Sequence, residues 1–156
     1  MEQLWAPWRM EYIKRTNTSS LDCVLCEKLN DEDGLLVYKG KQSYVMMNLY
    51  PYNNGHVMIS PIQHVSDFDE LAVQVQTEIM NIATTLMRFM RKEMDAEGFN
   101  MGANIGKAGG AGIDEHFHFH VVPRWNGDTN FMPVVGHTKV QVDGLKETCE
   151  LLKKAF

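Results

Sequence analysis

Between Asp114 and Trp125 the chain reads Asp-Glu-His116-Phe117-His118-Phe119-His120-Val121-Val122-Pro123-Arg124-Trp125, an alternation that constrains the fold more than any other stretch. On an extended strand alternate side chains project to the same side, so His116, His118 and His120 line one face while Phe117, Phe119 and Val121 line the other. The apolar face demands a core beneath it. The imidazole face, with neighbours about 7 Å apart at their Cβ atoms, suits handling an anion or dividing duties between a metal and a substrate. Imidazole can attack, donate a hydrogen bond or ligate near neutral pH. The plain alternative is a half-buried strand that happens to be rich in histidine; three of the chain's six histidines at alternate places argue against it.

Directly upstream lies Asn104-Ile-Gly106-Lys107-Ala-Gly109-Gly110-Ala111-Gly112-Ile113. Its glycines allow positive φ and close approach of backbone N–H groups to a ligand, which suits an anion cradle. A strained turn without a ligand would read the same way. No Gly-Lys-Ser/Thr closes the loop, and a strand rather than a helix follows it, so neither a Walker A loop nor a dinucleotide fingerprint is present.

His116-Phe-His118-Phe-His120-Val-Val, with the glycine loop before it, resembles the signature of the histidine triad (HIT) family of nucleotide hydrolases and transferases. Asn48-Leu-Tyr-Pro51-Tyr-Asn-Asn-Gly55-His56 is similar to that family's ribose-binding segment, so the likeness runs from about Cys23 to Trp125. The flanks Leu4-Trp5-Ala-Pro7-Trp8-Arg9-Met10-Glu-Tyr12 and Pro123-Arg124-Trp125-Asn-Gly-Asp128-Thr-Asn130-Phe131 look most like the diadenosine tetraphosphate phosphorylase branch.

A chain of 156 residues, 44% hydrophobic, is the size of one domain with room for a real core. The expectation is a single domain over 1–156, with an irregular N-terminal segment at 1–20 and a C-terminal extension with a helix at 138–156. A formal charge of −5 argues against non-specific nucleic-acid binding. No apolar run approaches a membrane span and the N-terminus lacks the regions of a signal peptide, so the chain reads as cytoplasmic.

In chain order, Cys23-Val-Leu-Cys26 is the first motif with chemistry. In a cytosolic chain such a pair more often binds metal or acts in redox than forms a structural disulfide, and no strand–helix pattern of a thioredoxin-like site surrounds it. Zinc suits it, with His64 and His116 available to complete a tetrahedron, although two reduced thiols are an alternative. Leu35–Tyr38, Ser43–Asn48 and His56–Ser60 then read as consecutive antiparallel strands. Asn48 would face a ribose beside apolar Val45 and Met47, or simply initiate a turn.

Ser66-Asp-Phe-Asp69 resembles a capping box, predicting a helix from there to Gly98 with Leu71, Val75, Ile79, Ile82, Leu86 and Phe89 on its apolar face. Phe99–Asn104 reads as a strand and Asn126-Gly127-Asp128 as a turn. Leu145, Cys149, Leu152 and Phe156 mark a C-terminal amphipathic helix. The expected fold is α+β, a mostly antiparallel sheet with the long helix and the C-terminal helix packed on one face.

The resemblance implies a HIT-like fold, a homodimer, and His118 as the nucleophile that attacks an α-phosphorus to give a nucleotidyl-histidine. It implies His120 and His56 as phosphate-binding partners in catalysis. The distant relative galactose-1-phosphate uridylyltransferase suggests Cys23, Cys26, His64 and His116 as ligands of a structural zinc, whose loss would cost stability more than nucleotide affinity. The expected nucleotide contacts are Asn48, Asn104, Lys107, Gly110, Ala111, Gly112 and Trp125. Lys107 could equally be a solvated loop lysine. Relatives commonly carry a hydroxyl where this chain has Gly112 and Ile113.

Hydrolase and phosphorylase differ only in whether water or orthophosphate attacks the intermediate. Lys107 within the loop and Arg124-Trp125 after the triad could hold a phosphate and shield it; together with the likeness to the phosphorylase branch, this favours phosphorolysis of diadenosine tetraphosphate to ADP and ATP over hydrolysis. From another class, a zinc-stabilised nucleotide-binding module with little turnover would keep the pocket but has no need of a positioned nucleophile.

Overall fold

A computed structural model describes residues 23–30, 34–136, 138 and 140–156; the irregular segment expected at 1–20 lies outside the described residues. The chain runs α1 (Val24–Glu27), a 3-10 turn (Lys28–Asn30), β1 (Leu36–Lys39), β2 (Ser43–Met47), β3 (Val57–Pro61) and a 3-10 turn (Phe68–Glu70). It continues through α2 (Val73–Glu93), β4 (Gly98–Gly102), a 3-10 turn (Lys107–Gly109), β5 (Phe119–Arg124), α3 (Met132–Val135) and α4 (Leu145–Lys153). The five strands form one sheet in the order β1-β2-β3-β5-β4, and every pairing is antiparallel. This is the α+β architecture that the sequence predicts.

Strands β2 and β3 are buried along their whole length because both faces of the sheet are covered. Val45, Met47, Val57 and Ile59 pack with Ile79, Ala83, Leu86, Cys149 and Leu152 under α2 and α4. Tyr44, Met46 and Met58 point the other way and pack with Leu25 of α1 in a smaller second cluster. Helix α1 is thus a cover on the face that the sequence leaves without one. At the C-terminus Phe156 stacks on Tyr38 of β1 with ring centroids 3.9 Å apart, which fixes α4 against the sheet edge.

The long helix is shorter at both ends than predicted. Ser66 Oγ donates to the adjacent Asp67 at 2.9 Å instead of capping a helix. Gln76 Nε2 donates to the Leu71 carbonyl at 2.9 Å and to Phe68 at 3.3 Å, so a side chain satisfies the carbonyls of a bend and α2 begins only at Val73. At the other end Asp95 takes the left-handed seat, φ 51°, and the Ala96 N–H reaches back to the Met90 carbonyl at 3.2 Å. A left-handed non-glycine residue thus turns the chain out of the helix, so Gly98 is left free to open β4.

Candidate active site

Strand β5 begins at Phe119, so His116, at a bend, and His118 precede it and only His120 lies within it. The alternation survives, but the three histidines divide their work. His118 and His120 meet edge to face with ring centroids 5.0 Å apart, and both line a cleft on the α1 side of the sheet. His116 is almost fully buried and turns toward the cysteines.

The hydrogen bonds fix which nitrogen carries each proton. His118 Nδ1 lies 2.9 Å from the His116 carbonyl, which can only accept, so Nδ1 holds the proton and the Nε2 lone pair is available. Burial pushes the His118 imidazole below its ordinary pKa, which favours the neutral nucleophilic form. The Tyr52 N–H donates to His56 Nδ1 at 3.0 Å, placing the His56 proton on Nε2. His56 Nε2 in turn donates to His120 Nδ1 at 2.9 Å, so His120 keeps its proton on Nε2. One backbone amide thereby sets the tautomers of two imidazoles. The Tyr52 ring covers His56 at 4.7 Å between centroids. Gly55, at φ 75°, makes the turn into His56, and a Cβ there would meet Met94 and Pro123 at 3.1 Å.

The cleft is apolar at the end under α1, where Val24, Leu25, Met46, Met58 and Ile113 line it, and polar where His118, His120, Asn48 and Asn104 converge. Its floor is Met46, not the expected Val45 and Met47, which share the opposite face. Asn48 does line the cleft and is also a turn residue, because its Oδ1 accepts the Tyr50 N–H at 2.9 Å. Asn104 lines it too and reaches the Gly110 carbonyl at 3.4 Å.

The rest of the glycine loop departs from expectation. Gly110, left-handed at φ 84°, donates its N–H to the Lys107 carbonyl at 3.0 Å, and Ala111 donates to Gly106 at 3.3 Å. Those two amides close the loop's own 3-10 turn rather than facing an anion; Gly112 lines the cleft. Lys107 is exposed and lies 3.7 Å from Asp114.

Trp125 is not brought to the cleft. It has the parity of Phe119 and Val121, so it faces the α2 core and donates Nε1 to the Met94 carbonyl at 2.9 Å. Arg124 donates to Asp128 at 2.6 and 2.9 Å and to Asn100 at 2.7 Å, and Asp128 also accepts from Asn53 at 2.8 Å. The expected phosphate wall is thus a structural knot that ties the β5 exit to the loop before His56. The parity rule that aligns the histidines could have revealed this. Val24, Leu25 and Tyr52 carried no such signal, since a four-residue helix and a backbone amide leave no period in a sequence.

Beside the cleft, the ligating atoms of Cys23, Cys26, His64 and His116 all lie within 4.8 Å of one another. The sulfur–nitrogen contacts are 3.3 Å for Cys23–His116 and 3.4 Å for both Cys26–His116 and Cys26–His64. Tetrahedral zinc, with bonds of about 2.3 Å to sulfur and 2.0 Å to nitrogen, sets such edges near 3.5 Å, so the cluster fits the ion. His116 Nε2 donates to the Pro61 carbonyl at 2.9 Å, leaving Nδ1 as the lone pair facing the thiols, the outer-shell bond a metal-ligating histidine uses. Burial, reinforced by the neighbouring Cys23, pushes the Cys26 thiol up to about 11. A neighbouring cation would favour the Cys26 thiolate that burial disfavours.

A family model described as the HIT domain matches residues 30–127. The chain belongs to the HIT-domain family. It is 38% identical over 161 residues to the AP-4-A phosphorylase of Mycobacterium tuberculosis H37Rv, an alignment covering 97% of this chain and 83% of that one. Adenosine 5'-monophosphoramidase of Saccharomyces cerevisiae is 28% identical over 127 residues, covering 80% of this chain and 77% of the yeast protein. Among solved structures, a Zn-bound histidine triad family protein from Mycobacterium smegmatis has the same fold, with a TM-score of 0.71 at 24% identity over 88% of this chain and 94% of that one. The HIT match contains all five strands and the histidines of the cleft, whereas Cys23, Cys26 and α1 precede it. Among the described residues no helix is long and apolar enough to cross a membrane.

Proposed function

We propose that this HIT protein transfers a nucleoside monophosphate from a dinucleoside polyphosphate to orthophosphate through a nucleotidyl-His118 intermediate, cleaving diadenosine tetraphosphate to ADP and ATP. The observation that carries the reading is the bond from His118 Nδ1 to the His116 carbonyl at 2.9 Å, which leaves Nε2 unprotonated on a residue lining the cleft. In the first displacement Nε2 attacks the α-phosphorus, the P–N bond forms, and the P–O bond to the departing ATP breaks. The His120 Nε2 proton, held there by the His56 relay, stabilises phosphoryl oxygens as charge moves onto them. In the second displacement an orthophosphate oxygen attacks the same phosphorus, the P–N bond breaks, and ADP leaves with His118 restored.

Asn48 and Asn104 are the nucleotide contacts that the cleft geometry supports, with Gly112 beside them. Support for orthophosphate as the acceptor comes from the 38% identity to the mycobacterial phosphorylase. It does not come from Lys107, Arg124 or Trp125, which are engaged elsewhere. Turnover of diadenosine tetraphosphate with isotopically labelled orthophosphate tests the reading. Label in the β-position of ADP, at a rate that follows phosphate concentration, is the expected result. AMP formed equally fast without phosphate would make the protein a hydrolase.

Cys23, Cys26, His64 and His116 would hold one zinc ion as a closed structural site, cross-linking α1 to the segments around Pro61 and His116. Zinc there supplies a fold cross-link and no open coordination position for substrate. We also propose a homodimer and a cytoplasmic location, which sedimentation and cell fractionation test directly.

A further inference from the structure

Helix α1 holds two jobs in four residues. Cys23, at its N-cap, and Cys26, within it, face His64 and His116, while Val24, Leu25 and the following Lys28 line the apolar end of the cleft. A single helical turn cannot hold itself in water, so its position must come from what it touches. Leu25 is 1% exposed against Tyr44, Met46 and Met58, and the Tyr44 hydroxyl donates to the Leu25 carbonyl at 2.7 Å. Val24, by contrast, is 38% exposed, and it is the cysteines on either side of it that reach the histidines.

The phosphate end of the cleft is held differently. His118 rests on the His116 carbonyl, His120 on His56, and His56 on the Tyr52 amide. His116 is itself anchored by Pro61, and the neighbouring Phe117 N–H donates to the Val65 carbonyl at 2.7 Å. His116 is common to both ends, its ring facing the cysteines and its carbonyl holding His118, but Pro61 and Val65 anchor that segment from the protein side. Val24 has no such second anchor among the described residues, so the base end depends on the cysteine cluster more than the phosphate end does.

We infer that metal occupancy of the Cys23–Cys26–His64–His116 cluster sets the affinity of the cleft for the nucleobase, by holding Val24 and Leu25 as its wall. Sequence alone assigns the metal to stability; the shared helix extends its effect to substrate selection. The inference rests on the zinc reading above. It predicts a selective loss: without the cross-link the wall is in place for only a fraction of molecules, and apparent affinity falls by that fraction. Ligands lacking a base have no contact to lose.

The test pairs zinc analysis with binding of AMP and of ribose 5-phosphate, followed by ligand-observed NMR and calorimetry, on zinc-loaded protein and on the same protein after chelation. The expected result is one restorable zinc per chain, AMP about tenfold weaker after chelation, and ribose 5-phosphate changed less than about twofold. A second arm leaves the metal alone: Val24→Ala, with zinc content unchanged, should weaken AMP about fivefold through loss of two methyl groups from the wall. That arm tests the wall itself even if the chelated protein unfolds, and in that case Cys23→Ser, read by the ratio of AMP to ribose 5-phosphate affinity, replaces chelation as the test of the metal. Stoichiometric zinc with AMP affinity unmoved by chelation, or both ligands weakening together, or Val24→Ala binding AMP within twofold of wild type, overturns the inference while leaving the zinc site intact. No restorable zinc overturns both.

Discussion

The two faces of the sheet are built from the same strands and obey different rules. On the α2 side, Val45, Ile59, Val121 and their helix partners are interchangeable in kind: apolar, close-packed and short of polar atoms. On the α1 side, buried histidines each have a specific partner, and removing one partner changes a proton position rather than a volume. Substitutions on the first face should therefore move stability, and those on the second should move chemistry.

The sharpest break of that contrast is at His118. His118→Ala removes the bond-forming nitrogen, and turnover of a dinucleoside polyphosphate should fall by roughly 10⁴-fold or more. The cost to folding is small, on the order of 1 kcal/mol for the His116 carbonyl left without its donor. Single-turnover kinetics and thermal unfolding on the same preparation measure both. A variant that keeps a tenth of wild-type turnover would remove the covalent mechanism.

Its mirror on the other face is Leu86→Ala. Leu86 is fully buried in the α2 core, and the cavity left behind should cost about 2–5 kcal/mol in denaturant unfolding. The folded fraction should keep its KM and kcat within about twofold, since no bond in the histidine relay passes through α2. A large kcat loss in folded protein would show that the faces are coupled through the sheet.

Asp128 sits where the two faces meet, and its effect is smaller. Hydrogen bonds from Arg124 hold its carboxyl well below the usual carboxylate range. A depressed folded-state pKa means that this stabilisation is complete above the ordinary value of about 4 and is lost as pH falls below it. Because Arg124 is 44% exposed, the pair is screened, and Asp128→Asn should cost only about 1–2 kcal/mol near neutral pH. Below about pH 4 wild type and variant should converge in thermal stability. Curves that stay parallel through acid would assign the stabilisation to something other than the charged pair.

How far the sequence could be read differs between these faces for a physical reason. Strand and helix periods are local, so the core positions from Val75 to Leu86, the strands and the common side of His118 and His120 are legible in the sequence. The Cys23–Cys26–His64–His116 cluster was also visible, because ligand types are few and their chemistry is selective. Hidden were features decided by competition between equivalent local choices. Ser66 could cap a helix or bond its neighbour. The loop amides of Gly110 and Ala111 could face an anion or close a turn, and they close the turn. Trp125 differs, since its parity with Val121 points it into the core and only its flat apolar ring suggests a wall.

Lys107 offers the smallest effect and the finest test of that difference. As a loop cation it reads from sequence as the group that would hold orthophosphate. In the folded protein its side chain is 85% exposed, with the ammonium 3.7 Å from Asp114 and no lining role in the cleft. An exposed pair of this kind contributes about 0–1 kcal/mol and leaves most of the cation's field in solvent. Lys107→Ala should therefore change the KM for orthophosphate by less than about twofold at moderate ionic strength, with kcat and nucleotide affinity unaltered. Phosphate-dependence curves for the two proteins, at low and high salt, make the measurement. A tenfold rise in phosphate KM, screened away by salt, would mean that the loop swings its lysine inward during turnover and that the site face is less rigid than its histidine relay implies.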